Sequence, residues 1–111
     1  MTDRIVKINH LLCQEVGRAL HEQLRFPDGV LVTVMSADTS RTLEHTTIKI
    51  SIFPKPAAST VLKSINSQIY LLQQTINKRL AMHPIPKITF RLDDSTERIA
   101  KVEQILEKII E

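Results

Sequence analysis

The sequence has few residues of the kinds that several common protein chemistries require. It contains one cysteine, Cys13, so neither an internal disulfide nor a multi-cysteine metal site can form. Tryptophan is absent and aromatic residues make up only 4%, which argues against a platform of several rings for stacking bases. No uncharged stretch is long and apolar enough to span a bilayer, and the N-terminus has no apolar signal core. We therefore expect a protein of the reducing cytoplasm.

Asp and Glu are missing from residues 45–92, although the whole chain has 12 of them. Chance is one explanation for this gap. A polyanionic partner is the other, because carboxylates beside a phosphate-binding surface would repel the phosphates. We favour the polyanion, since the same block holds seven basic residues: Lys49, Lys55, Lys63, Lys78, Arg79, Lys87 and Arg91.

Length and composition indicate one small globular domain spanning residues 1–111. Hydrophobic residues make up 42% and charged residues 24%, as in folded soluble proteins. A chain of this length is too short for two independent hydrophobic cores. The sequence shows no internal repeat, low-complexity segment or linker.

The first half of the chain is predicted to form a helix and a β-hairpin. Pro27 and Gly29 end the helix and start a turn. Residues 30–37 favour a strand, and residues 46–53 favour a second one because apolar and polar side chains alternate there. The helix covers residues 3–24, where apolar side chains recur at spacings of three and four: Ile5, Ile8, Leu12, Val16, Leu20 and Leu24.

The second half is predicted to add a helix, a strand and a helix. The first of these helices begins at Ser59 or Thr60 and runs to about Met82. Residues 87–92 form a short third strand, and Asp94 caps the last helix. The order α-β-β-α-β-α predicts a two-layer α+β sandwich, in which the helices cover one face of a three-stranded sheet.

The basic residues fall into two groups on opposite layers of this sandwich. Strand alternation places Lys49, Lys87 and Arg91 on the outer face of the sheet. Lys63 and Lys78 lie about four turns apart on the second helix and share a face. Lysine and arginine contact phosphates without reading bases, although any single lysine is also explained as a solvated side chain. The predicted RNA-binding residues are Lys49, Lys63, Lys78, Arg79, Lys87 and Arg91.

Two aromatic side chains would matter if they were exposed. Tyr70 follows Ile69 on the apolar stripe of the second helix, so we expect a core or boundary position for its ring. An exposed Tyr70 would be the best stacking residue in the chain. Phe53 faces outward by alternation but ends its strand against Pro54, where we expect its ring to pack under a loop.

No group of residues indicates an enzyme or a metal site. His10 and Cys13 have a spacing that two metal ligands could use, but no third ligand accompanies them. Asp93 and Asp94 are adjacent carboxylates, of which Asp94 is already explained as a helix cap. The sequence has no phosphate-binding glycine loop and no nucleophile–base arrangement. We expect no catalysis, no metal and no cofactor.

Two stretches of the sequence are similar to a known family, bacterial ribosome-binding factor A. Val32-Thr33-Val34, Leu43 and residues 48–51 resemble its first hairpin. A second stretch resembles the family signature Pro-x-Leu-x-Phe-x-x-Asp-x-Ser. It contains Arg79-Leu80, Pro86, Ile88, Phe90, Asp93 and Ser95. The N-terminal helix and a final helix that contains Arg98-Ile99 also fit the family in length and place, so the similarity covers nearly the whole chain.

This resemblance implies a type II KH-like fold and binding to the small ribosomal subunit during its late maturation. It also implies action on the precursor ribosomal RNA near its 5′ end, without enzymatic activity and without a cofactor. Family members have a helix–kink–helix around Ala-x-Gly. This chain has Gln68-Ile69-Tyr70 there, and Lys87 where the family usually has Glu. Because a kink without glycine needs another cause, we expect a straighter second helix.

The favoured hypothesis is a monomeric, cytoplasmic assembly factor that binds the small subunit and its ribosomal RNA. One alternative is a KH-like protein-interaction module whose basic surface is incidental. Another is a generic binder of single-stranded RNA. Phosphate-mediated binding weakens steeply with salt and an apolar protein interface does not, so salt dependence separates the first alternative from the favoured hypothesis.

Overall fold

A computed structural model describes residues 2–81 and 85–93, with side chains from residue 4 onward. The predicted last helix, from Asp94 onward, and His83 lie outside the described residues. Within the described part, no helix is long and apolar enough to cross a membrane. The elements are α1 (Thr2–Gln23), β1 (Leu31–Thr39), β2 (His45–Phe53), a 3-10 helix (Lys55–Ala57), α2 (Ala58–Ser67), α3 (Ile69–Arg79) and β3 (Lys87–Leu92).

The three strands form one sheet in the order β1-β2-β3. β1 and β2 pair antiparallel through the hairpin, and β2 and β3 pair parallel. A bulge between Val34 and Ser36 shifts the register in β1 and leaves Met35 without a partner on β2. The described helices cover one face of the sheet, so the predicted α+β two-layer sandwich is confirmed.

The core lies between the helices and the inner face of the sheet. Ile48, Ile50 and Ile52 of β2 all point into it, as the alternation predicts. The predicted stripes of α1 and of the second helical region supply the facing side. Its largest fully buried side chains are Leu12, Val16, Leu20, Ile65, Leu72 and Ile76. Burial of these side chains is the main term that holds the two layers together.

The expectation of one straighter second helix is wrong, because the helix breaks at Gln68. Its backbone has φ −107° and ψ 10°, and its N–H donates to the carbonyl of Ile65 at 3.0 Å instead of continuing the α-helical pattern. The Ser67 hydroxyl donates to the Ser64 carbonyl at 2.6 Å. These local bonds end α2 at Ser67. A residue with negative φ has no need of glycine, which explains how this chain bends there without one.

The start of this region also differs from the prediction. Neither Ser59 nor Thr60 caps the helix, because α2 begins directly after the 3-10 helix with Ala57 at the N-cap and no side-chain cap bond.

Asn9 joins α1 to the β-hairpin. Its Oδ1 accepts from the backbone N–H of Thr39 at 3.1 Å and from the Thr39 hydroxyl at 2.6 Å.

Candidate nucleic-acid interface

The outer face of the sheet carries half of the predicted RNA-binding residues. Lys49, Lys87 and Arg91 are all exposed there, as strand alternation predicts. Within the described part of the chain, none of the three forms an ion pair. The carboxylate that the strands place on the same face is Asp38 of β1, which pairs with Thr47 and lies diagonally from Lys49.

Lys49 and Arg91 occupy directly opposed positions on adjacent strands. Neighbouring strands lie about 4.8 Å apart, so the two basic side chains leave the sheet side by side. Like charges that oppose each other across a sheet destabilise it. A bound anion would therefore reduce the electrostatic repulsion between Lys49 and Arg91 on this face of the sheet.

The other end of the outer face is apolar. Leu31 of β1 and Phe53 of β2 are cross-strand partners and are 61% and 66% exposed. The expectation that Phe53 packs under a loop is therefore wrong. Between this pair and Lys49 lie Thr33 and Ser51, whose hydroxyls are hydrogen-bonding groups.

The basic residues of the helical layer are arranged differently. Arg79 is 29% exposed and donates to the carboxylate of Glu22 on α1, while its second terminal nitrogen lies 3.9 Å from Glu15 Oε2. Glu22 also accepts from Arg18 Nε at 2.9 Å. Hydrogen bonds from Arg79 and then Arg18 lower the pKa of the Glu22 carboxyl. Arg79 therefore joins α3 to α1 as well as belonging to the predicted RNA-binding set.

Gln73 of α3 holds the start of β3. Its Oε1 accepts from the backbone N–H of Ile88 at 2.8 Å, and its Nε2 donates to the carbonyl of Pro86 at 3.1 Å. The amide thus satisfies two backbone groups beside a buried residue. A glutamine on an amphipathic helix gives no sequence signal of this role.

A groove of about 330 Å³ lies between the end of α1 and α3. Tyr70 and Leu71, in the first turn of α3, are 70% and 53% exposed. The expectation of a core or boundary position for Tyr70 is therefore wrong, and its hydroxyl accepts from Gln74 Nε2 at 2.8 Å. The groove is lined by Gln23, Leu24, Gln68, Leu71, Gln74, Thr75 and Lys78.

Lys63 lies on α2 and Lys78 on α3, and both side chains are exposed. The sequence placed them on one face of a continuous helix, whereas the break at Gln68 now separates their helices. Lys78 lines the groove and Lys63 does not. The six predicted residues thus form a sheet group of three, a helical group of two and the ion-paired Arg79.

The described residues contain no cluster of three or more His, Cys, Asp or Glu side chains that could hold a metal ion. Cys13 is half-buried, and burial raises the pKa of its thiol. A protonated thiol is a poor nucleophile and a poor metal ligand. His10, three residues earlier, lies 3.3 Å from the Gln14 side-chain amide through its Nε2.

Comparison with known proteins now supplies the family. Residues 4–106 match the family model of ribosome-binding factor A. The chain belongs to the ribosome-binding factor A family. A ribosome-binding factor A from Akkermansia muciniphila is 34% identical over 109 residues, which cover 98% of this chain and 86% of that protein.

Solved structures show the same fold at lower sequence identity. The crystal structure of ribosome-binding factor A from Thermus thermophilus superposes with a TM-score of 0.67 at 14% identity, covering 79% of this chain and 93% of that one. Coordinates of the Thermus thermophilus protein fitted into a cryo-EM map of its 30S complex give a TM-score of 0.65 at 17% identity, with 78% and 91% covered. The type II KH-like fold implied by the resemblance is thereby confirmed.

Proposed function

We propose that this protein is an assembly factor of the small ribosomal subunit. It binds the subunit and its ribosomal RNA during late maturation, including the processing of the 5′ end of the precursor RNA. It acts in the cytoplasm, as a monomer, by binding and without catalysis. Membership of the ribosome-binding factor A family supports this proposal, as does a relative that was fitted into a map of its 30S complex.

The observation that carries the RNA-directed part is the set of exposed basic side chains without ion pairs. Five of the six predicted residues are of this kind within the described chain, and Arg79 is the exception. Contacts between such side chains and phosphates position a protein on RNA without reading its sequence. The five residues are Lys49, Lys63, Lys78, Lys87 and Arg91.

The mechanism is positional. A protein that binds an immature arrangement of the RNA more tightly than the mature arrangement stabilises the immature one. Maturation then removes that preference, and the protein dissociates. The size of the effect is set by the difference between the two affinities, since equal affinity for both arrangements shifts nothing.

The test is co-sedimentation of the purified protein with isolated small or large subunits at increasing salt. We expect binding to the small subunit alone. If five phosphate contacts are made, a fourfold rise in salt weakens binding roughly 10²-fold. Absence of binding at low salt, or equal binding to both subunits, contradicts the proposal.

A protein-interaction module is the second candidate, and the exposed Tyr70 and Leu71 beside the groove favour it. An interface built on these apolar side chains would bind a protein partner with little salt dependence. Tyr70→Ala would then abolish subunit binding while charge-removing variants left it intact. The reverse pattern supports binding through phosphates.

A further inference from the structure

The outer sheet face combines two features on one surface, a pair of opposed cations and an exposed aromatic ring. Lys49 and Arg91 are held directly opposite each other with no ion pair inside the described chain. Such a pair stores repulsion that a bound anion relieves. Local conflicts of this kind in a folded protein are expected where a ligand binds.

The second feature is an exposed ring on the same face. Phe53 is 66% exposed and stands beside Leu31, which is 61% exposed. A ring in this position gives a flat surface on which one base can stack, with an aliphatic side chain to extend it. The few aromatic residues of the sequence exclude a platform of several rings, but not one.

The spacing between the two features fits an extended RNA strand. Phe53 lies four residues along β2 from Lys49, which is about 13 Å at 3.3 Å per residue. Both side chains point away from the core, and Thr33 and Ser51 lie between them with their hydroxyls. A strand that runs along β2 can therefore place phosphates at Lys49 and a base at Phe53.

We infer that the outer sheet face binds a short unpaired RNA strand, with phosphates at Lys49 and Arg91 and a base stacked on Phe53. This inference rests on the proposed RNA-directed function and names the form of RNA and the surface that takes it. Paired RNA keeps its bases stacked inside a helix, so a duplex would leave the Phe53 ring unused. The charge of the face and its ring together favour a single strand.

The inference is tested with a short fluorescein-labelled oligouridylate, by fluorescence anisotropy over a salt series with the full chain. A hairpin duplex with the same number of phosphates is the competitor. Two matched double variants each remove two positive charges: Lys49→Gln with Arg91→Gln on the sheet, and Lys63→Gln with Lys78→Gln on the helices. All four residues are exposed, so neither variant disturbs the core.

We expect the sheet double variant to lower the salt slope by about 1.4, because each phosphate contact on a single strand contributes about 0.7. The helix double variant changes it less. A matched pair of ring variants separates stacking from charge. Phe53→Ala lowers affinity about fivefold or more with an unchanged slope, and Tyr70→Ala leaves it near the wild-type value.

The inference is overturned if the helix double variant or Tyr70→Ala causes the larger loss, or if the duplex binds better than the single strand. It is also overturned if the wild-type protein fails to bind the oligouridylate. Co-sedimentation separates this failure from that of the proposed function. Salt-dependent binding to small subunits without oligouridylate binding leaves the proposed function standing, and loss of both removes both.

Discussion

The two basic surfaces of this protein differ in what their polar side chains already do. On the helical layer, Arg79 forms ion pairs with carboxylates of α1, and Gln73 forms hydrogen bonds with backbone groups at the start of β3. On the sheet, Lys49 and Arg91 oppose each other and have no ion pair within the described residues. Polar groups of the first kind stabilise the fold, whereas those of the second kind reduce its stability.

This difference shows why a count of basic residues is a weak guide to a binding surface. Arg79 contributes to the charge of the carboxylate-free block, yet its guanidinium is largely neutralised by Glu22. An exposed ion pair is worth little to stability, but it still lowers the charge that a distant phosphate experiences. The opposed pair on the sheet has no such ion-pair partner within the described residues. If the comparison is right, variants on the two layers will separate stability from binding.

The largest expected effect on stability is that of Gln73→Ala. This substitution leaves the Ile88 N–H and the Pro86 carbonyl without their partner, and unsatisfied buried groups cost about 1–3 kcal/mol. The free energy of unfolding, measured with urea, should fall by this amount. Gln74→Ala is the control, because that exposed side chain bonds only to the Tyr70 hydroxyl. An equal loss in both variants would contradict a role for Gln73 in holding β3.

Arg79→Gln should also destabilise the protein, and Lys78→Gln should not. Removing Arg79 leaves Glu22 without one of its two arginine partners. It also removes the positive charge near Glu15 Oε2, an oxygen that is buried and makes no hydrogen bond. The two substitutions remove the same net charge from adjacent positions. Thermal unfolding should therefore show a lower midpoint for the Arg79 variant alone. Similar midpoints would mean that the contact between α3 and α1 does not depend on this ion pair.

Much of this architecture could be predicted from the sequence, because it depends on periodic burial. The alternation in β2 placed Ile48, Ile50 and Ile52 in the core and Lys49 outside, and the structure has them so. Helical spacing likewise placed Leu12 and Leu20 correctly. These patterns are set by which side chains leave water, so they can be recognised without knowing the partner element.

The errors arose where local hydrogen bonding overrides periodicity. The break at Gln68 depends on the hydrogen bond from the Ser67 hydroxyl to the Ser64 carbonyl and on that from the Gln68 N–H to the Ile65 carbonyl. A hydrophobic pattern gives no signal of either bond. Tyr70 follows that break and is exposed, against its expected core or boundary position. The role of Gln73 depends on the position of β3 beside α3, which is set by tertiary packing. The opposed pair Lys49 and Arg91 could be identified only once the register of the parallel strands was known.

The ion pairs of the helical layer also predict a dependence on acid. The pKa of Glu22 lies below its ordinary value of 4.5 because Arg79 and Arg18 donate to its carboxylate. A lowered pKa means that this stabilisation is complete above the ordinary value and is lost as pH falls through the lowered one. The unfolding free energy of the wild type should thus decrease between these two pKa values. Glu22→Gln should flatten that part of the profile, and an unchanged profile would show that other carboxylates dominate it.

The smallest expected effect concerns the sheet, and it tests the comparison most directly. A double-mutant cycle of Lys49→Thr and Arg91→Thr measures the coupling between the two cations. Either single variant removes the repulsion, so each should stabilise the protein, and the double variant should gain less than the sum. We expect a difference of about 0.2–1 kcal/mol, which shrinks as salt screens the charges. Threonine favours strands, and the cycle cancels that preference.

The same variants should bind RNA more weakly while they unfold less easily. Such opposite changes are expected when a binding site carries a conflict that its ligand relieves. Asp38→Asn provides the converse control, because it removes the carboxylate that the strands place on this face. It should strengthen RNA binding and leave the coupling between Lys49 and Arg91 unchanged. A cycle that returns attraction, or no coupling at low salt, would mean that the opposed cations avoid each other, and the contrast between the two layers would then lose its energetic basis.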